Sequence, residues 1–247
     1  MGKHIAFLHG LIACILISIQ VPGVSNGDKS KSSSDNTVAN PQQYVVGSTV
    51  QICWKEDDTN KALSVLQEIL TKHHLSVRVE KHHTDSKYAY LSPAGPHWQS
   101  LLLHVHSMLG DPLCIDLSKR MDTPVLAFLE YQQDCWGYAL FRQGKLLNYF
   151  WNDPSIPEED PKICKGDAHL LAQLFHVESK LLDPYLHFIN HNDNRATSRK
   201  AFNDDQFTLG DHWVRIDFMR RLGIIYPDFQ HFHGLTLYIP EQGVNME

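Results

Sequence analysis

Apolar and polar positions first settle into a regular rhythm just after residue 44. Val50, Ile52 and Trp54 alternate with Gln51, Cys53 and Lys55, the two-residue period of a strand. Asp57-Asp58-Thr59 then offers caps for a helix, in which Leu63, Leu66 and Leu70 recur at helical spacing and Val65 and Ile69 widen the stripe. Leu75, Val77 and Val79 alternate with Ser76, Arg78 and Glu80, predicting a second strand. Strand-like material follows at residues 88–91 and 100–106, interrupted by Pro93 and Pro96. Asp111-Pro112 opens a helix that runs to Met121, since proline suits a first helical turn, and residues 125–132 read as a further strand.

That order is the split βαβ, or ferredoxin-like, pattern. Residues 136–141 and 146–151 flank Arg142-Gln143-Gly144-Lys145 and predict a hairpin with glycine at its turn. The expected fold is therefore α+β: a mainly antiparallel sheet of about five or six strands around that core, with an added hairpin and C-terminal helices. Residues 152–165 carry Pro154, Pro157 and Pro161 and the run Glu158-Glu159-Asp160, so they read as a loop. Helical patterns then cover 168–175, 180–189 and 212–222, with the polar stretch 190–205 as a surface loop. Asp211 caps the last helix, Arg220 and Arg221 sit in its final turn, and Gly223 stops it.

The start of the chain changes the picture. A basic Met1-Gly2-Lys3, an apolar run over residues 5–21 and the break Pro22-Gly23-Val24-Ser25 have the layout of an export signal. Three fates fit: cleavage after Ser25, retention of residues 5–21 as an undersized membrane anchor, or lipidation at Cys14 within Leu11-Ile12-Ala13-Cys14. Residues 26–43 are Ser, Asn, Asp and Lys with little to bury, a disordered polar tether. The expected organisation is a signal or anchor at 1–25, the tether at 26–43, one α+β domain at 44–228 and a tail at 229–247. The expected location is outside the cytoplasm: secreted, periplasmic or attached to the cell envelope.

Composition narrows the classes. The 247 residues are 43% hydrophobic and 20% charged, ordinary values for a globular chain. A net charge of -6 with neither sign clustered leaves no electrostatic footprint for nucleic acid. Cys53, Cys114, Cys135 and Cys164 remain beyond the leader, enough for two disulfides in three pairings, and no CxxC pair suggests a metal ribbon.

Sixteen histidines invite a metal reading. His104 and His106 flank Val105 and would share one side of a strand, as a ligand pair must, with Glu130 as a carboxylate partner. His187 and His191, four apart, and the alternate pair His231 and His233 repeat the theme, but no HExxH places a third ligand. Structural histidines are the competing reading. No GxSxG elbow occurs, so Cys135 is the candidate nucleophile against a structural thiol. Glu130, Asp134 and Asp217 could act as acid or base if buried. Otherwise Glu130 faces solvent, Asp217 pairs with Arg220 or Arg221, and Glu158-Glu159-Asp160 and Asp204-Asp205 are solvated loop charges. No glycine-rich phosphate loop is present, and no cofactor is expected. Aromatics crowd the hairpin, and alternation sends them to both faces. Tyr131, Trp136, Tyr138, Tyr149 and Trp151 form the candidate binding surface, unless the C-terminal helices cover them.

Two stretches, LSKRMDTPVLAFLEYQQDCWGYALFRQGKLLNYFWNDP and FTLGDHWVRIDFMRRLGIIYPD, resemble segments of uncharacterised bacterial proteins of similar size. The likeness covers about a third of the chain. It implies one α+β domain and a bacterial source, and it transfers no catalytic residue. The expected function is a non-enzymatic binding or protein-interaction domain, acting on a protein or small ligand. An immunity-like or inhibitor protein falls within that class. The alternative is an exported metal-dependent hydrolase using His104, His106 and a carboxylate.

Overall fold

A computed structural model describes residues 49–81, 88–104, 110–131, 135–152, 165–188, 194–228 and 232–239, all within the unit spanning residues 45–247. The expected signal, the tether, Cys14, His106, Asp134, Cys164 and the run from Glu158 to Asp160 lie outside the described residues.

The chain opens on β1 (Thr49–Lys55), α1 (Thr59–Lys72) and a short β2 (Arg78–Glu80). Next come β3 (Tyr88–Pro93), β4 (Trp98–His104), α2 (Gly110–Arg120) and β5 (Val125–Tyr131). The hairpin is β6 (Cys135–Arg142) and β7 (Lys145–Trp151). Its turn holds Gln143 at φ 51° and Gly144 at φ 76°, the paired positive angles of a turn whose twist matches the strands. Beyond it lie α3 (Ala168–Phe175), two single 3-10 turns (Ser179–Leu181 and Asp183–Tyr185), α4 (Asn194–Thr197), α5 (Val214–Arg221) and β8 (Leu235–Tyr238).

The eight strands form one sheet in the order β2-β8-β3-β4-β1-β5-β6-β7, and every neighbouring pair runs antiparallel. The architecture is thus α+β as expected, but with eight strands instead of five or six. Part of the difference comes from residues 235–238. Expected within a tail, they form β8 and pair with both β2 and β3. Leu237 is buried on one face and Thr236 on the other, so four residues suffice once neighbours supply both ladders.

Helices cover both faces. On one, Ala62, Leu66 and Ile69 of α1 and Leu113, Cys114 and Leu117 of α2 pack over Ile52, Trp54, Leu101 and Leu103. On the other, Leu171, Phe175, Tyr185, Phe218 and Met219 cover Cys53, Leu126, Phe128, Trp136 and Tyr138. A strand with two dry faces needs no polar alternation, which is why Cys135 to Phe141 are all buried.

Local chemistry explains where the helices begin and break. Asp58 caps α1 by accepting from the amides of Asn60 and Lys61 at 2.8 and 3.3 Å, and Asp167 caps α3 through Leu170 at 2.8 Å. The helix expected over 180–189 is replaced by the two 3-10 turns, because Pro184 has no N–H to continue a helical ladder. The last helix starts at Val214, two residues later than expected, and the Asp211 carboxylate accepts from the Trp213 amide at 2.8 Å in the turn before it. Among the described residues, no helix is long and apolar enough to cross a membrane.

Candidate functional site

Glu130 sits on β5 opposite Trp136, on the sheet face that α5 covers. Arg215, in the first turn of α5, donates from Nη2 to Glu130 Oε2 at 2.7 Å, with side-chain exposures of 2% and 8%. The reading of Glu130 as solvent-facing is therefore corrected. Alternation put its side chain on a face that becomes interior only when the C-terminal helix docks.

His212 completes the group. Its Nε2 lies 3.3 Å from Glu130 Oε1 and its Nδ1 lies 3.6 Å from Asp211 Oδ1, with the side chain 16% exposed. The Arg215 guanidinium stands 4.7 Å from the Trp213 ring centroid and 5.4 Å from that of Tyr226. Arg215 Nη1 makes no hydrogen bond, and the two ring faces are what it has in compensation. Burial pushes the Tyr226 phenol up in pKa, and the neighbouring Arg215 charge opposes that change. A carboxylate paired this way holds a helix against a sheet.

A second charged group lies one helical turn further along. Asp205 accepts from Tyr185 Oη and the Phe202 amide at 2.8 Å, from Arg221 Nη2 at 2.6 Å and from Arg220 Nη2 at 3.1 Å. Asp217 accepts from the amides of Gln206 and Phe207 and from Arg220 Nη2 at 3.2 Å, so its expected partner is the observed one. Asp204 bonds Arg221 Nη2 at 2.6 Å, and that bond draws its carboxyl down to about 2. Asp205 is thus not the solvated loop charge expected, while Asp204 is exposed as expected; both tie the segment before α5 to the helix. The sequence did carry a signal, two adjacent aspartates and two adjacent arginines, but sixteen residues separate them.

The aromatic set expected at a binding surface is mostly interior. Trp136, Tyr138 and Trp151 are buried, and Tyr149 is half-buried. The Tyr131 backbone pairs with Cys135, and its side chain lies outside the described residues. For Trp136 and Tyr138 the cover is Phe218 of α5: its ring stacks on Tyr138 at 5.9 Å and 12° and meets Trp136 at 5.4 Å and Phe128 at 6.3 Å. Tyr138 Oη donates to Asn148 Oδ1 at 2.6 Å and accepts from the Asp167 amide at 3.2 Å, and burial raises its pKa.

Cys135 is buried as well. No disulfide forms among the described residues, where Cys53, Cys114 and Cys135 are each buried. Burial pushes the Cys53 thiol up to about 12. His104 ends β4 in register with Thr49, but its side chain, like all of His106, lies outside the described residues, so the expected pair is not placed. His231 and His191 are also outside them; His187 is exposed, with Nε2 3.7 Å from Asp183. Among the described residues no three His, Cys, Asp or Glu side chains gather as metal ligands would.

Comparison with protein families, with curated proteins and with solved structures finds no match for this chain.

Proposed function

We propose that this chain is an exported, non-enzymatic binding or protein-interaction domain. The observation that carries this reading is the closure of Glu130: its carboxylate meets Arg215 at 2.7 Å at 8% exposure and is engaged in holding two layers together. Asp205 and Asp217 are likewise occupied by several donors each, and Cys135 is buried, so the groups best suited to acid, base or nucleophile work serve the fold. Export rests on the basic and apolar leader, with attachment through residues 5–21 or at Cys14 as routes to the cell envelope. The partner is then a protein or small ligand met outside the cytoplasm.

The fold reading belongs to the same proposal. The order β3-β4-β1-β5 with α1 and α2 on one face supports a split-βαβ, ferredoxin-like core, extended at one edge by β8 and β2 and at the other by the hairpin.

Elemental analysis of protein purified from metal-supplemented medium separates the two functional classes. Little or no bound transition metal is expected. Stoichiometric zinc that disappears in His104→Ala and His106→Ala would favour the hydrolase instead. Mass spectrometry of the mature N-terminus tests export: a start at Asn26 or an acylated Cys14 supports it, and an unprocessed chain recovered from the cytoplasm would count against it.

A further inference from the structure

Four side chains, three around the start of α5 and one on β5, meet in turn along one line. Asp211 lies beside His212, His212 beside Glu130, and Glu130 beside Arg215, at 3.6, 3.3 and 2.7 Å. With a neutral imidazole the line carries two negative charges and one positive. With a protonated imidazole it carries two of each.

We propose that Asp211, His212, Glu130 and Arg215 form a pH-sensitive latch, in which proton uptake by His212 tightens the C-terminal helical layer on the sheet. The line joins β5 to the turn before α5 and to α5 itself, so its charge balance acts on the contact between two layers. The charged and titratable groups around the imidazole include Glu130 from β5, Asp211 from its own turn, Arg215 across the carboxylate and the Tyr226 phenol beside Arg215. Arg215 and the positive end of α5 oppose the added charge. Burial of the ring, 16% exposed, opposes it as well, while the Glu130 and Asp211 carboxylate oxygens at 3.3 and 3.6 Å favour it.

The sign follows from linkage. A histidine that gains carboxylate partners on folding titrates higher in the native state than in the unfolded one. The stability it contributes is fully present below the unfolded value and is lost as pH rises through the native midpoint. The native midpoint of His212, read by NMR on histidine-labelled protein, is expected above the unperturbed value of about 6.5. For a proton held about ten times more tightly by the folded chain, the folded-to-unfolded ratio falls about sixfold as pH rises from 6 to 8. His212→Asn should remove most of that fall, and the alkaline half of the profile is read on the same variant. Asp211→Asn should lower the His212 midpoint. A midpoint at or below about 6.5, or an unchanged pH slope in His212→Asn, would overturn the proposal. If His212→Asn does not fold, the NMR midpoint of the unaltered protein decides by itself.

Discussion

Arg215 and Glu130 are 85 residues apart in sequence and 2.7 Å apart in space, and each is nearly sealed from water. Removing one partner of a buried ion pair leaves the other charge desolvated and unpaired, which costs about 3–5 kcal/mol. Glu130→Ala should therefore lower unfolding free energy by that order in a denaturant titration. The double variant Glu130→Leu with Arg215→Met should recover much of the loss, since it removes both charges together. A loss below about 1 kcal/mol in Glu130→Ala would show that the pair does not hold the layer in place.

Phe218 is fully buried and touches the rings of Phe128, Trp136, Tyr138 and Tyr185. Phe218→Ala should cost about 3–5 kcal/mol, the range for emptying an aromatic site in a rigid core. Tryptophan fluorescence should move to the red as water reaches Trp136. Unchanged emission would mean that α5 is not what covers the hairpin.

Gly137 allows Trp151 to lie across β6. A Cβ at that position would come within 2.1 Å of Trp151 Cε3 and 2.4 Å of the Phe150 carbonyl oxygen. Neither neighbour can give way cheaply, one being a packed ring and the other backbone. Gly137→Ala should cost about 1–3 kcal/mol by thermal melting, as overpacking does. Gly137→Ala combined with Trp151→Leu should be less damaging than the two single changes summed.

Cys53 is buried beneath the C-terminal layer, and desolvation holds its thiol at about 12, with the hydrogen bond to Ser100 pulling the other way. At pH 8 it should resist iodoacetamide in the native protein and react once denaturant is added. The unfolded thiol ionises first on the alkaline side, so its contribution to stability is complete below about 8.5 and lost as pH rises toward 12. Cys53→Val should flatten that alkaline limb. Rapid native alkylation at pH 8, located to Cys53 by peptide mapping, would contradict the burial.

Much of the local structure is legible in the residues themselves. Asp58 before a helical stripe and Gln143-Gly144 between two apolar runs each act through groups within four positions of one another. The 3-10 turns around Pro184 read as a helix from spacing alone, because the apolar pattern there fits both geometries over so few residues. Glu130 is legible as an inward-capable carboxylate on β5, yet its partners are not: nothing local distinguishes Arg215 from the chain's other arginines.

The sequence by itself determined most of the elements up to the hairpin, the turn chemistry and the fact that the hairpin aromatics point to two faces, because these depend on alternation and on short-range hydrogen bonds. Tertiary structure alone decided that β8 enters the sheet, that α5 buries the aromatic face, and that Asp211, His212, Glu130 and Arg215 stand in one line. Those outcomes depend on which distant surfaces exclude water together. Burial strengthens a charge pair and makes an unpaired charge costly, and no window of neighbouring residues records where that burial will occur.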